Sequence, residues 1–234
     1  MAQFHDIQNN NFTGVVEDAN LYMLQHYHDL KLICYGGYGR VLKAVNNNTI
    51  QLVAVKELLR NHLPIEQRLA RLENRPARKL VSLQEIQREI NCLIQVQNHD
   101  SFIQIIDFFY DNQYFYIIEE LIASGDLFDA IAVRNRYTEA NARDVCVSLL
   151  RGIQHMHNLN IIHRDLKPEN ILVHSNELNE MKICDFGLAI ALAPGVVHTT
   201  GDLGSTRYKA PEILNLEFYG KPVGNIIISC AYLY

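Results

Sequence analysis

Strands first and helices afterwards: this order of elements predicts an α+β chain built in two lobes. Three observations carry the prediction. Short apolar runs separated by turn signals fill the stretch from Leu30 to Glu119, and from Gly125 onward apolar residues recur at helical spacing. The chain has 234 residues, 48% hydrophobic and 20% charged, enough for a large core without disulfide or metal staples.

Residues 1–29 are rich in Asn, Gln, His and Asp without a clear period, and read as a loosely ordered N-terminal extension. Leu30–Cys34, Arg40–Val45 and Gln51–Lys56 are predicted strands, with a hairpin turn at Asn46-Asn47-Asn48. Ser82 and Glu85 form a predicted capping box ahead of a helix striped by Leu83, Ile86, Ile90 and Leu93. Phe102–Phe109 and Tyr114–Glu119 are two further strands, joined by a turn at Asp111-Asn112. Thr138 caps a long helix towards Asn158, with Val145, Leu149, Ile153 and Met156 along one side. Two short runs follow, Ile171–Val173 and Lys182–Cys184.

Charge and cysteine usage exclude several classes. Twenty-one basic against 26 acidic residues give a net charge of −5, so there is no chain-wide basic field and no nucleic-acid partner is expected. Five cysteines without a C-x-x-C pair suit neither a disulfide framework nor a zinc site, and point to reduced thiols. MAQFHDIQNN is no secretory signal, and the nine-residue tail Ile226–Tyr234 is too short to cross a bilayer. The expected location is the cytoplasm, with the nucleus as the alternative, and no membrane partner is expected.

The chemistry-bearing motif is His163-Arg164-Asp165-Leu166-Lys167-Pro168-Glu169-Asn170, followed fifteen residues after Asn170 by Asp185-Phe186-Gly187. With these two motifs in order the sequence resembles the eukaryotic protein kinase family from about Leu30 to Glu212. The resemblance implies a bilobal fold: a small five-stranded β lobe with one helix, and a mainly helical large lobe, incomplete here. It divides the chain into the 1–29 extension, a small lobe over 30–121 with an insert at about 57–80, a partial large lobe over 122–223 and a tail over 224–234. It also implies ATP and Mg2+ as cofactors and protein Ser/Thr hydroxyls as acceptors.

Moving a γ-phosphoryl group demands positioning and neutralisation of spreading charge, and hard cations want oxygen ligands. Asp185 and Asn170 resemble the family's metal ligands, Asp165 its catalytic base, and Lys167 the lysine set against the transferring phosphate. Lys167-Pro168-Glu169 favours Ser and Thr over Tyr. Val53-Ala54-Val55-Lys56 resembles the nucleotide-anchoring strand, with Lys56 paired to Glu89; Glu85 is left as the capping residue. Ile33, Gly36, Gly37, Gly39 and Val41 resemble the glycine-rich loop, although Cys34 stands where its first glycine is expected. Glu119 and Leu121 match the hinge, Ile118 the gatekeeper before it, Asp126 the ribose contact, and Leu172 and Cys184 the lining of the pocket. Ser205, in Gly204–Glu212, matches the segment that selects hydroxyl substrates. Arg164 beside Asp165 implies an activating kinase that phosphorylates Thr199 or Thr200.

The Asp126–Ile131 run, Tyr137–Arg143 and Ile161–Asn170 are similar to the calcium/calmodulin-dependent kinase group, but no basic amphipathic calmodulin site follows. Thirty-two residues separate Lys56 from Glu89, more than the family uses, and within Arg60–Lys79 six basic residues face two acids. That insert reads as a solvated helix or a dock for an acidic partner. After Val223 the chain leaves the family pattern, and the last eleven residues read as unrelated sequence. Two readings follow: a serine/threonine kinase, or a non-catalytic fragment that binds nucleotide or a partner.

Overall fold

The computed structural model describes residues 12–36, 39–60, 80–134, 138–174, 180–197, 199, 203–215 and 217–222. They form two units: residues up to Gln87 with Gln104–Leu121, and Arg88–Ile103 with the chain from Ile122 on. The expected small lobe was a single span over 30–121. The second unit instead takes Arg88–Ile103, so the helix predicted from Ser82, α2 (Leu83–Val96), crosses the division. Its capping box is formed, with Glu85 Oε2 accepting from Ser82 N and Oγ at 2.8 and 2.7 Å.

The first unit is built on one sheet of six strands: β1 (Gly14–Val15), β2 (Tyr27–Tyr35), β3 (Gly39–Asn46), β4 (Leu52–Leu59), β5 (Ile105–Tyr110) and β6 (Tyr114–Glu120). Their order is β1-β5-β6-β4-β3-β2, and all pairings are antiparallel except β1 on β5. The β3–β4 turn falls where the asparagines place it, Asn46 Oδ1 accepting from Asn48 N at 2.9 Å and Thr49 N at 3.1 Å. The Asp111 turn is held likewise, its Oδ1 accepting from the amides of Gln113 and Tyr114.

Two expectations are corrected here. The 1–29 extension is not loose throughout, and the sheet has a sixth strand beyond the expected five. Residues 13–26 carry β1 and a helix, α1 (Ala19–His26), capped by Asp18 and lying on the sheet. Ala19, Met23 and Tyr27 are buried in one cluster with Leu42, Ala44, Val53, Val55, Phe109, Tyr116 and Ile118. Burial of Met23 alone is worth about 1.5–3 kcal/mol. The insert also starts later than residue 57, because β4 runs on to Leu59 and Arg60 bridges Val81. Residues 61–79 and the tail from 223 on lie outside the described residues.

The second unit is organised by α4 (Glu139–Asn158), capped by Thr138 Oγ1 accepting from Asn141 N. Its buried residues Val145, Leu149, Ile153 and Met156 are those of the predicted stripe, joined by Cys146 and Gly152. Gly152 is needed for close approach: a Cβ there would lie 2.9 Å from that of Ser101. Short α3 (Leu127–Arg134) precedes α4. Two two-stranded ladders follow: β7 (Ile161–Ile162) with β10 (Ile190–Ala191), and β8 (Ile171–Val173) with β9 (Met181–Ile183). One turn of helix, α5 (Pro211–Leu214), comes near the end.

Candidate active site

The sequence-predicted residues fall into two groups, one in each unit. In the first unit the group is set by strand alternation, since residues directly opposite on neighbouring strands share a face. Lys56 on β4 lies opposite Val41 on β3 and Ile117 on β6, and Ala54 lies opposite Glu119. Val41, Ala54, Lys56 and Glu119 therefore stand on one face. Val53 and Val55 point the other way, into the core under α1. Ile118 goes with them, opposite Val55 and fully buried in that core. Ile118, expected as the gatekeeper, thus stands on the opposite face of the sheet from Lys56. The residue that shares a row with Lys56 is Ile117, which the unbroken apolar run Phe115–Ile118 does not distinguish from its neighbour.

Gly39 begins β3 opposite Leu58, and a Cβ there would overlap the Glu57 carbonyl oxygen, so the strand can start only with glycine. Gly36 N–H closes the loop onto Gly39 O at 2.9 Å. Gly37 lies outside the described residues. Ile33 is half exposed, at a bulge in the β2–β3 pairing. Leu121 lies just beyond the end of β6.

In the second unit the loop from His163 to Asn170 is rigidly tied. His163 is buried, and Asp165 N–H donates to its Nδ1 at 3.3 Å, so Nε2 carries the proton donated to Cys184 O at 2.9 Å. Burial holds the imidazole below its ordinary pKa, in keeping with that neutral tautomer. Its ring stands edge-on to Phe186 at 4.8 Å. Arg164 and Asp185 are both left-handed, φ 67° and 61°. Such strain, of order 1–3 kcal/mol for a non-glycine residue, collects at functional sites.

The Asp165 carboxylate is the hub. Its Oδ1 accepts from Ser205 N at 2.7 Å, and its Oδ2 meets Lys167 Nζ at 3.1 Å and Asn170 Nδ2 at 3.2 Å. Lys167 Nζ also donates to Ser205 Oγ at 2.9 Å, and Asn170 Nδ2 to Asp165 O at 2.8 Å. With its nitrogen so engaged, Asn170 turns its amide oxygen away from Asp165. Cys184 N–H bonds Asn170 O at 3.0 Å, which brings Asp185 alongside. A Cβ on Gly187 would lie 3.4 Å from both Asp185 Oδ1 and Glu89 Oε2, so both carboxylates border that glycine.

Asp126 and Leu172 form an antiparallel bridge. Asp126 Oδ1 caps α3 through Asp129 N at 2.8 Å, and burial raises its pKa above the usual carboxylate value. Thr199 exchanges two backbone hydrogen bonds with Tyr219, at 2.7 and 3.0 Å, while Thr200 lies outside the described residues. Arg164 Nε donates to Leu188 O at 2.6 Å. Sequence reasoning passed over Tyr116, Glu57 and Arg40. These stand directly opposite one another on β6, β4 and β3, and Glu57 is nearly fully buried. The signal available in the sequence was an acidic residue inside the mostly apolar strand Leu52–Leu59, which needs a partner if the strand is buried.

Among curated proteins, the chain is 29% identical to calcium-dependent protein kinase 4 of Plasmodium berghei over 202 residues, 86% of this chain and 35% of that protein. It is 37% identical over 139 residues to calcium/calmodulin-dependent protein kinase type 1 of Macrobrachium nipponense, covering 59% and 39%. Myosin light chain kinase A of Dictyostelium discoideum gives 37% over 139 residues, 59% and 46%. The chain thus spans less than half the length of each. The family model described as protein kinase domain matches residues 27–228. With that match over most of its length and the α+β architecture above, the chain belongs to the protein kinase domain family.

Proposed function

We propose that the protein is an ATP-dependent serine/threonine kinase, transferring the γ-phosphoryl group of ATP to protein hydroxyls. The observation that carries this reading is the Asp165–Lys167–Ser205 cluster. A carboxylate is held on one oxygen by a backbone N–H, while a lysine bridges its other oxygen to the serine hydroxyl. Asp165 orients the acceptor hydroxyl and takes its proton as the new P–O bond forms and the β,γ-bridge breaks. Lys167 supplies a positive charge where the transferring group gathers negative charge. The fixed neutral His163 holds the loop so that neither group has to reorganise during the step.

The donor set suits magnesium. Among the described residues no three His, Cys, Asp or Glu side chains gather to hold a metal by themselves. Asn170 and Asp185 offer an amide oxygen and a carboxylate, and magnesium commonly takes one or two protein oxygens and completes its shell with nucleotide phosphates and water. Bound there, the ion neutralises phosphate charge. Lys56, Ala54 and Val41 supply a nucleotide-facing row in the first unit. In the first unit Lys56 anchors the phosphates; in the second, Asp126 and Leu172 are nucleotide contacts. Acceptors are protein Ser and Thr, and Thr199 or Thr200 takes an activating phosphate from an upstream kinase. No helix among the described residues is long and apolar enough to cross a membrane, and we place the protein in the cytoplasm.

The test uses the full chain with magnesium-ATP and a peptide library. Asp185→Ala is expected to abolish transfer, and Lys56→Met and Asp165→Asn to lower turnover by roughly 100-fold or more. Products should be phosphoserine and phosphothreonine. Wild-type turnover in either the Asp185 or the Lys56 variant, or mainly phosphotyrosine in the product, would overturn the reading.

A further inference from the structure

The N-terminal arm, residues 13–26, is joined to the nucleotide-facing sheet by more than packing. At one end Thr13 clasps Asp107, its N–H donating to Oδ1 at 2.9 Å and its Oγ1 to Oδ2 at 2.8 Å. In the middle Ala19 N–H donates to Asp111 Oδ2 at 2.9 Å. Further along, Asn20 Oδ1 accepts from Tyr116 hydroxyl at 2.6 Å. That contact opens a polar row across three strands. Tyr116 hydroxyl lies 3.3 Å from Glu57 Oε2, and Glu57 is gripped by Arg40 with both carboxylate oxygens at 2.8 Å.

The row ends where it matters. Arg40 follows Gly39, whose missing side chain leaves the space that the Glu57 carbonyl fills, and Glu57 is the immediate neighbour of Lys56. The same residue therefore holds the start of β3 twice, by its side chain through Arg40 and by the backbone packed on Gly39. The Tyr116 hydroxyl thus stands between Asn20 Oδ1 and Glu57 Oε2. Loss of Asn20 frees its outer side, and loss of the hydroxyl removes the arm's contact with Glu57, so either change loosens the row at the residue that holds β3.

We infer that the arm positions the glycine-bearing end of β3 through the row Asn20–Tyr116–Glu57–Arg40, so that Asn20 and Tyr116 are positioning residues for nucleotide binding. The nucleotide part rests on the kinase reading above; the ordering of β3 does not. Phosphate cradling needs backbone N–H groups held in place, and the cost of ordering them is lowered if the arm has already done so.

Hydrogen exchange on the full chain without nucleotide tests the ordering. Asn20→Ala and Tyr116→Phe should each speed amide exchange over Gly39–Leu42 about three- to tenfold, while Asn20→Asp, which keeps the acceptor oxygen, should stay near wild type. Titration with ATP should then show a similar loss of affinity in the first two variants, recovered in the third, with kcat unchanged. A role confined to stability would instead lower the melting temperature and leave both readouts at wild type when measured well below the melt. Unchanged exchange in both Asn20→Ala and Tyr116→Phe, or equal acceleration in Asn20→Asp, overturns the inference. If the wild type binds no ATP, the kinase reading fails while the exchange result still decides the relay.

Discussion

Gly204 shows at single-residue scale how tightly the Asp165 loop is built. Its φ is 92°, and a Cβ there would overlap the Arg164 carbonyl oxygen. Gly204→Ala therefore meets both a strained backbone and a clash, an expected cost of about 1–3 kcal/mol. Because Ser205 N–H, the next donor along, holds Asp165 Oδ1, the damage should appear in turnover. A fall of at least tenfold in kcat with a correctly folded protein by circular dichroism is the expected result; unchanged kcat would show that the loop tolerates the shift. The residues meeting at Asp165 were legible from His163–Asn170 and from the Gly204–Glu212 segment, through the family resemblance that those stretches carry. Ile117 was not. Both faces of β6 are buried, so the run Phe115–Ile118 lacks the alternation that would tell which side chain shares a face with Lys56.

Among elements, α4 offers a pH test through its last turn, where His155 and His157 keep Nε2 atoms buried without a partner. Burial depresses both pKa values below their ordinary 6.5, with His99 beside His155 and Lys221 near His157 adding to the effect. Below about pH 6.5 the unfolded chain takes up protons that the folded chain resists, so stability should fall with acidity and level off above that value. Melting temperatures between pH 7.5 and 5.5 should drop, and the slope should flatten in a His155→Gln, His157→Gln double variant. A profile without slope in the wild type would mean that water reaches both rings. Thr138 and the helix it caps were legible, since a cap followed by a stripe at spacings of four, four and three is a local signal. The arm helix α1 was not. Its five apolar residues, Ala19, Leu21, Tyr22, Met23 and Leu24, run round the helix without a stripe, so nothing local marks Ala19 and Met23 as the two that are buried.

For the whole molecule, each unit carries its own group of candidate residues, and the first is held together in part by residues outside the family match at 27–228. A chain starting at Tyr27 should lose the burial of Ala19 and Met23, about 2–4 kcal/mol against a typical domain stability of about 5–15 kcal/mol. Its melt should shift downward by several degrees. A melt identical to that of the full chain would show that the arm contributes nothing to folding.

The parallel pairing of β1 with β5 has a colloidal consequence. Two residues cover the Phe109–Tyr110 end of β5, with Val16 N–H adding a bond to Tyr110 O at 3.0 Å. Clipped from the sheet by a protease or by deletion, the arm would leave Ile105–Tyr110 as a bare edge with open amide and carbonyl groups, a template for a second copy. The shortened chain should sediment as a concentration-dependent mixture of monomer and strand-paired dimer, whereas the intact chain should not use that edge to self-associate.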